Sequence, residues 1–249
     1  NFDGSINLSY RVDKFNFSNQ TNIYYTDTEN NSVPFSDFSR ANPYYAKRDA
    51  NGDVYKVLES YETITGTEYV YNPLWDFEQN NINGGNSLSF NNNFNVEYTP
   101  IQKVRLTGRL GYTVTKDMNE TFLSPFNTQF EGVEELKRGS YSRSDANSTA
   151  LDANFNTYNF VAGAQATQND IRTDSYSALG YITDKFFNPN FSNGYPEGGK
   201  PSSTVSRTRS AGFFLNANYA YDMRYLLDLN LRTDGASVFG VNNPFSTTW

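Results

Sequence analysis

Arginines and carboxylates recur in this chain at alternate positions, and that spacing decides what they can do. Arg105 and Arg109 share a side with Thr107 and Thr113, Asp228 and Arg232 flank Asn230, and Arg11 and Glu97 stand in similar surroundings. A period of two puts such side chains on one face of a β-strand. Arg11, Glu97, Arg105, Arg109, Asp228 and Arg232 therefore form a candidate polar set that could line a path for a solute. Bond-making chemistry has fewer candidates. The chain has no cysteine and no histidine, so thiolate nucleophiles, the commonest metal ligand and the commonest general base are missing. Paired carboxylates of the glycosidase kind survive this composition. The expectation is a protein that is not an enzyme, with no cofactor and no catalytic residue.

Other stretches offer chemistry and then fall short. "DANGDVYK", Asp49 to Lys56, resembles a calcium loop, but Val54 stands where an EF-hand needs glycine and Ser60 where it needs a bidentate glutamate. No metal site is assigned, and Asn51-Gly52 reads as a turn. "NGG" at Asn83 and "EGGK" at Glu197 lack the strand–helix frame of a phosphate loop. A net charge of −7 from 20 basic and 27 acidic residues leaves no basic footprint for nucleic acid. The aromatics Tyr44, Tyr45, Tyr71, Trp75 and Phe77 cluster between alternating segments. They could stack on a sugar or grip a partner, or they could pack their loop upon itself.

The elements that must hold these residues are β-strands. Eight alternating segments are predicted, at about 4–12, 14–26, 86–98, 103–115, 140–155, 158–173, 205–221 and 224–233. The segment 140–155 has the weakest pattern. Tight turns are expected at Asp13, at Thr99 to Gln102, near Asn156-Thr157 and near Asp222-Met223. Long connections fill about 27–85, 116–139 and 174–204, so short and long links alternate. That order suits an up-and-down transmembrane β-barrel, whose turns are short at one rim and long at the other; a soluble sandwich has no such rule. Tyr10, Tyr98, Tyr112, Tyr219, Tyr221 and Tyr225, read as lying near tight turns, could form an aromatic girdle, although tyrosine is also simply a good strand former. No apolar run reaches the ~18 residues of a transmembrane helix, and no signal peptide is visible. A mean hydropathy of −0.68 is compatible with a barrel, because alternation averages out.

Three stretches resemble the SusC/RagA family, TonB-dependent outer-membrane transporters of the Bacteroidetes. They are "FSDFSRANPYYAKRDANGDVY" followed by "YNPLWD"; "GYITDKFFNPN"; and "YLLDLNLRTDGASVFGVNNPFSTTW". Ala236 replaces a family serine, Pro244 stands where a basic residue is usual, and the family more often has Gly-Phe-Pro-Ser before the aspartate of the second stretch. The resemblance runs through the whole chain but implies only the middle of a plugged barrel of about 22 strands, with plug and remaining strands outside it and Trp249 starting a ninth strand. It also implies import of a bulky nutrient, an oligosaccharide or a peptide, across a Gram-negative outer membrane. The implied partners are a SusD-like surface lipoprotein acting as a lid, TonB reached through the plug, and membrane lipid. Tyr225, Leu227, Leu229 and Leu231 would face lipid and Asp228, Asn230 and Arg232 the lumen, and in a plugged barrel the set Arg11, Glu97, Arg105, Arg109, Asp228 and Arg232 would hydrogen-bond the plug rather than line a solute path. A scaffolding role in a larger outer-membrane assembly and a soluble secreted glycan-binding β-protein are the alternatives.

Overall fold

The computed structural model describes residues 1–30, 33–102, 104–158, 161–221, 225–239 and 244–248. Its strands are β1 Phe2–Val12, β2 Phe15–Glu29, β3 Val57–Thr63, β4 Gly66–Tyr71, β5 Ile82–Ile101, β6 Val104–Leu123, β7 Ser140–Tyr158, β8 Val161–Tyr181, β9 Ser192–Gly194, β10 Ser202–Tyr221, β11 Tyr225–Ala236 and β12 Phe245–Thr248. Two short helices, α1 Phe35–Arg40 and α2 Pro73–Phe77, lie in the first long connection. The main sheet is an antiparallel meander in the order β1-β2-β5-β6-β7-β8-β10-β11-β12, with β9 added beside β8 and β3–β4 forming a separate hairpin. Within the described residues β1 and β12 each pair on one side, so the sheet is open.

All eight expected segments are strands, and most run further than their alternation. β5 and β6 are each 20 residues long, and β8 has 21. The long connections shrink accordingly, to 30–81, 124–139 and 182–201. Alternation stops near Leu88 and Lys116, yet pairing continues to Ile82↔Phe122 because each backbone group still finds a partner across the ladder. β7, the weakest by pattern, pairs with β6 over its full length. Its apolar face carries only Phe155, Ala153 and Leu151 as large or apolar residues; Thr149, Asn147, Asp145 and Arg143 continue that face toward the long-connection end, which weakens the period-two signal.

The turns follow from the register. Val12 pairs with Phe15 around a two-residue turn in which Asp13 takes φ 48°, a left-handed conformation that aspartate tolerates. Asn156 and Thr157 do not form the expected turn: β7 continues through them, and Asn156 pairs with Gly163. Residues 159–160 of the segment 158–173, the start of another at Lys103, the turn at Asp222-Met223 and the residue Trp249 lie outside the described residues. So do the side chains of Tyr219, Tyr221, Tyr225 and Leu227. A ninth strand of the meander, β12, is present at Phe245–Thr248, before Trp249, the residue at which the sequence alone would start it.

Register sorts the sheet into two faces. Tyr10, Phe17, Val96 and Gly108 fall on one cross-strand row, and Leu8, Asn19, Phe94, Leu110 and Ala153 on the next. Tyr98 stacks on Phe15 at 4.4 Å near the short-turn end. Tyr112 does not belong to that rim; it pairs with Asn92 and Leu151 well inside the strands. The apolar face carries a polar island at Asn19, Thr21 and Asn92. Asn92 Nδ2 donates to Thr21 Oγ1 at 2.7 Å and to Asn19 Oδ1 at 3.1 Å, and Asn19 Nδ2 donates back to Asn92 at 3.2 Å. Mutual pairing offsets much of the cost of placing amides there.

A small apolar core closes the long-connection end, where Phe122, Tyr141, Ala178 and Tyr181 are buried together. Phe122 meets Tyr181 edge-on at 5.1 Å, and Tyr141 donates to Glu120 Oε1 at 2.5 Å. Phe122→Ala is expected to cost about 3–5 kcal/mol, as for other buried phenylalanines. Equilibrium urea unfolding of the complete protein checks this, and a loss under 1 kcal/mol contradicts the core assignment.

Candidate functional site

The polar face is the first candidate site, and strand register builds it. Arg11, Asn16, Glu97, Thr107, Asn156, Gly163, Phe214, Arg232 and Thr248 form a single row across the meander. Three of the six charged candidates, Arg11, Glu97 and Arg232, thus lie on one line although residues 11 and 232 stand at opposite ends of the chain. Arg109 lies on the adjacent row, paired with Asn95 and Asn154. Arg105 and Asp228 fall on the same face, opposite Tyr158 and Asn218.

Hydrogen bonds join this face into a seam along β5 and β6. Arg105 pairs with Glu97 at 3.2 Å. Arg109 donates to Asn93 Oδ1 at 2.9 Å, Asn93 to Asn91 at 2.6 Å, and Asn91 to Thr113 at 2.9 Å. Beside it lies a hollow of about 460 Å³ lined by Asn16, Glu97, Arg109, Asp152, Asn154 and Gln165 among others. At its margin the Asn156 amide donates to Asn154 at 2.6 Å, while its buried Oδ1 has no partner. A Cβ on Gly163 would come within 2.1 Å of the Phe214 ring, so glycine is needed where that ring crosses the polar face. Nothing in the alternation pointed to Asn156, Asp152 or Phe214. Their role emerges only when distant strands are placed side by side.

The second candidate is the crown formed by the long connections. Asn72, with 0% exposure, organises it: Nδ2 donates to Lys47 O at 2.9 Å and Tyr55 O at 2.8 Å, while Oδ1 caps α2 by accepting from Leu74 N. Pro73 at the first helical position fits that cap. The helix then binds the second connection. Trp75 Nε1 donates to Phe126 O at 3.0 Å, and the Asp76 carboxylate accepts from Thr128 N at 2.8 Å and from its hydroxyl at 2.5 Å. Asn81 Oδ1 accepts from Ser124 N and from Asn127 Nδ2, and Asn80 donates to Asp184 in the third connection at 3.0 Å. Lys56 lies 5.6 Å over the Trp75 ring and forms an ion pair with Glu131.

The five loop aromatics divide by environment. Trp75 and Tyr71 are half-buried in the framework. Tyr45 is half-buried too, and its bond to the Glu59 carboxylate, with burial, raises its hydroxyl above the ordinary tyrosine value. Tyr44 is 93% exposed and Phe77 52% exposed, the latter meeting Phe38 edge-on at 6.3 Å. Packing therefore accounts for Trp75, Tyr71 and Tyr45, while Tyr44 and Phe77 offer free ring surface. Asn51-Gly52 forms the expected turn: Asp49 Oδ1 accepts from Asn51 N and Asp53 N, and Gly52 takes φ 95°.

Asn72→Ala removes a cap and two donors to buried carbonyls, and about 2–4 kcal/mol of crown stability should go with it. Limited proteolysis is expected to cut residues 42–80 faster while the meander stays intact. Unchanged cleavage contradicts the role given to Asn72.

Comparison with protein-family models gave no match, and none of the curated proteins matches. Solved structures do. The RagAB peptide importer in the "open-open" state superposes at TM-score 0.72 with 17% identity, over 98% of this chain and 28% of that one. The RagAB peptide transporter gives 0.67 with 18% identity, and the "closed-closed" importer 0.69 with 17%. The chain spans less than a third of those chains. At such identity the likeness is one of fold. It agrees with the SusC/RagA resemblance carried by the sequence: this meander has the fold of a stretch of a transporter β-barrel of the RagAB kind.

Proposed function

We propose that the chain is part of the wall of a TonB-dependent outer-membrane transporter of the SusC/RagA kind, importing a bulky nutrient, a peptide or an oligosaccharide. The observation that supports this reading is the register, which gives an open antiparallel meander one apolar face, one polar face and all its long connections at one end. The apolar face then meets lipid. The seam from Arg105 to Thr113 meets the lumen or the plug that fills it, where water or plug groups satisfy polar side chains that hydrocarbon would penalise. An arginine on the lipid side would cost ~2–4 kcal/mol near the midplane.

On this reading the crown stands outside the cell. Its polar cross-ties hold the three connections as one rim, and Tyr44 and Phe77 present rings to substrate or to a SusD-like surface lipoprotein acting as a lid. The wall performs no bond-making step. It holds the passage, while a plug outside these residues gates it and TonB supplies energy.

Outer membranes of the native host provide the test. The complete protein is expected there, with a surface lipoprotein co-purifying in equal amount. Uptake of peptides or oligosaccharides should stop when the gene is deleted or the inner-membrane proton gradient is collapsed. Recovery in the soluble fraction, or uptake indifferent to the gradient, overturns the proposal.

A further inference from the structure

The apolar face is furrowed. On one cross-strand row Leu110 is followed by Ala153, Ala166, Ala211 and Gly235, and then by Phe245. Two hollows, of about 480 and 520 Å³, open on this face and meet at Ala153, Ala166 and Ala211. Large side chains wall them: Leu151 and Phe245 in the first, Phe155 and Phe213 in the second. The result is one continuous apolar groove of a size to take acyl chains lengthwise.

The wall of the groove nearer the long connections is charged. Gln168 and Arg209 pair one row beyond Ala166 and Ala211, and Asp170 and Arg207 pair on the next row. Arg209 Nε donates to Gln168 Oε1 at 2.9 Å, Gln168 Nε2 donates to Asp170 Oδ2 at 2.6 Å, and Arg207 forms an ion pair with Asp170. Asp170 balances Arg207, while Arg209 is held by the neutral amide of Gln168, which leaves a net positive charge on that side of the groove. Height fits as well. From Tyr221 at the short-turn end, β10 climbs to Arg209 through about 28 Å at ~3.3 Å per residue and ~45° tilt. That is just above an apolar band ~25 Å tall.

We infer that this groove seats a phosphorylated lipid of the outer leaflet, its acyl chains lying along Ala153, Ala166 and Ala211 and its phosphate on Arg209 and Arg207. The inference rests on the membrane placement proposed above. A phosphate matches the surplus cation, and guanidiniums hold phosphate oxygens through paired N–H donors. Acyl chains match a groove with almost no polar lining at its floor. A second barrel would meet the ridges of Phe155 and Phe213 and leave the groove between them unfilled.

The test uses the complete protein purified from outer membranes, exchanged into mixed micelles of phosphatidylglycerol or phosphatidylcholine and examined by native mass spectrometry. One phosphatidylglycerol per chain should survive dilution, and phosphatidylcholine should not. R207A/R209A, which changes exposed side chains, and A166L, which fills the groove, should each lower retention at least tenfold, whereas K14A at the opposite rim should not. Heat-modified gel migration confirms that each variant remains a folded barrel. Equal retention of both lipids, indifference of R207A/R209A, or a barrel–barrel cross-link across Ala166 overturns the inference while leaving the transporter reading in place. A protein recovered only in the soluble fraction overturns both.

Discussion

Backbone hydrogen bonding is the constraint on which the rest of this structure depends. A strand's amides and carbonyls must be partnered, and in this chain the neighbouring strand partners them over ladders that run well past the apolar residues. In hydrocarbon no other donor or acceptor exists, so a closed barrel, whose wall is built from meanders such as this one, is one of two architectures able to cross it. Register follows from the ladders, and a slip of one residue would exchange the two faces of a strand. The two-residue turn at Asp13 pins the first hairpin by itself. Once register is set, Arg11, Glu97 and Arg232 share a row, and Ala153, Ala166 and Ala211 share another on the opposite face.

The crown obeys the same rule with different partners. Its buried apolar content among the described residues is small, so side-chain amides and carboxylates take over the satisfaction of loop backbone. Asn72 serves the carbonyls of Lys47 and Tyr55, Asp76 serves the amide of Thr128, and Asn81 that of Ser124. Each tie joins segments far apart in sequence, so the three connections behave as one rim. Exposed rings such as Tyr44 then project from a fixed base, which is what recognition by a rim requires, since ordering a mobile loop at the moment of binding costs entropy.

Much of this architecture was legible in the residues. Alternation located every long strand, because a face that is apolar at Leu106, Leu110 and Val114 and polar at Arg105, Thr107 and Arg109 has only one secondary structure to suit it. Strand ends were not legible, since beyond Leu88 and Lys116 the face that carries Met118, Ile82 and Phe122 also carries Asn86, Gly84 and Glu120, and alternation is interrupted. The β3–β4 hairpin and α2 were missed for a similar reason. Asn72-Pro73 reads equally well as a turn or as a cap with proline at the first helical position, and the carbonyls of residues 47 and 55, to which Asn72 donates, decide between them. The polar hollow and the groove depend on pairings between strands, which no local pattern contains.

The central claim is that the sheet divides hydrocarbon from a polar interior. Nitroxides attached to single cysteines at positions 105 to 114 of the complete protein, reconstituted in lipid, test it most directly through collision with oxygen and with a nickel chelate. Oxygen should dominate at 106, 110, 112 and 114, and the chelate should gain at 105, 107, 109 and 113, with a period of two. Low access to both reagents at the even positions would mean that the apolar face packs against protein, and would contradict the membrane wall.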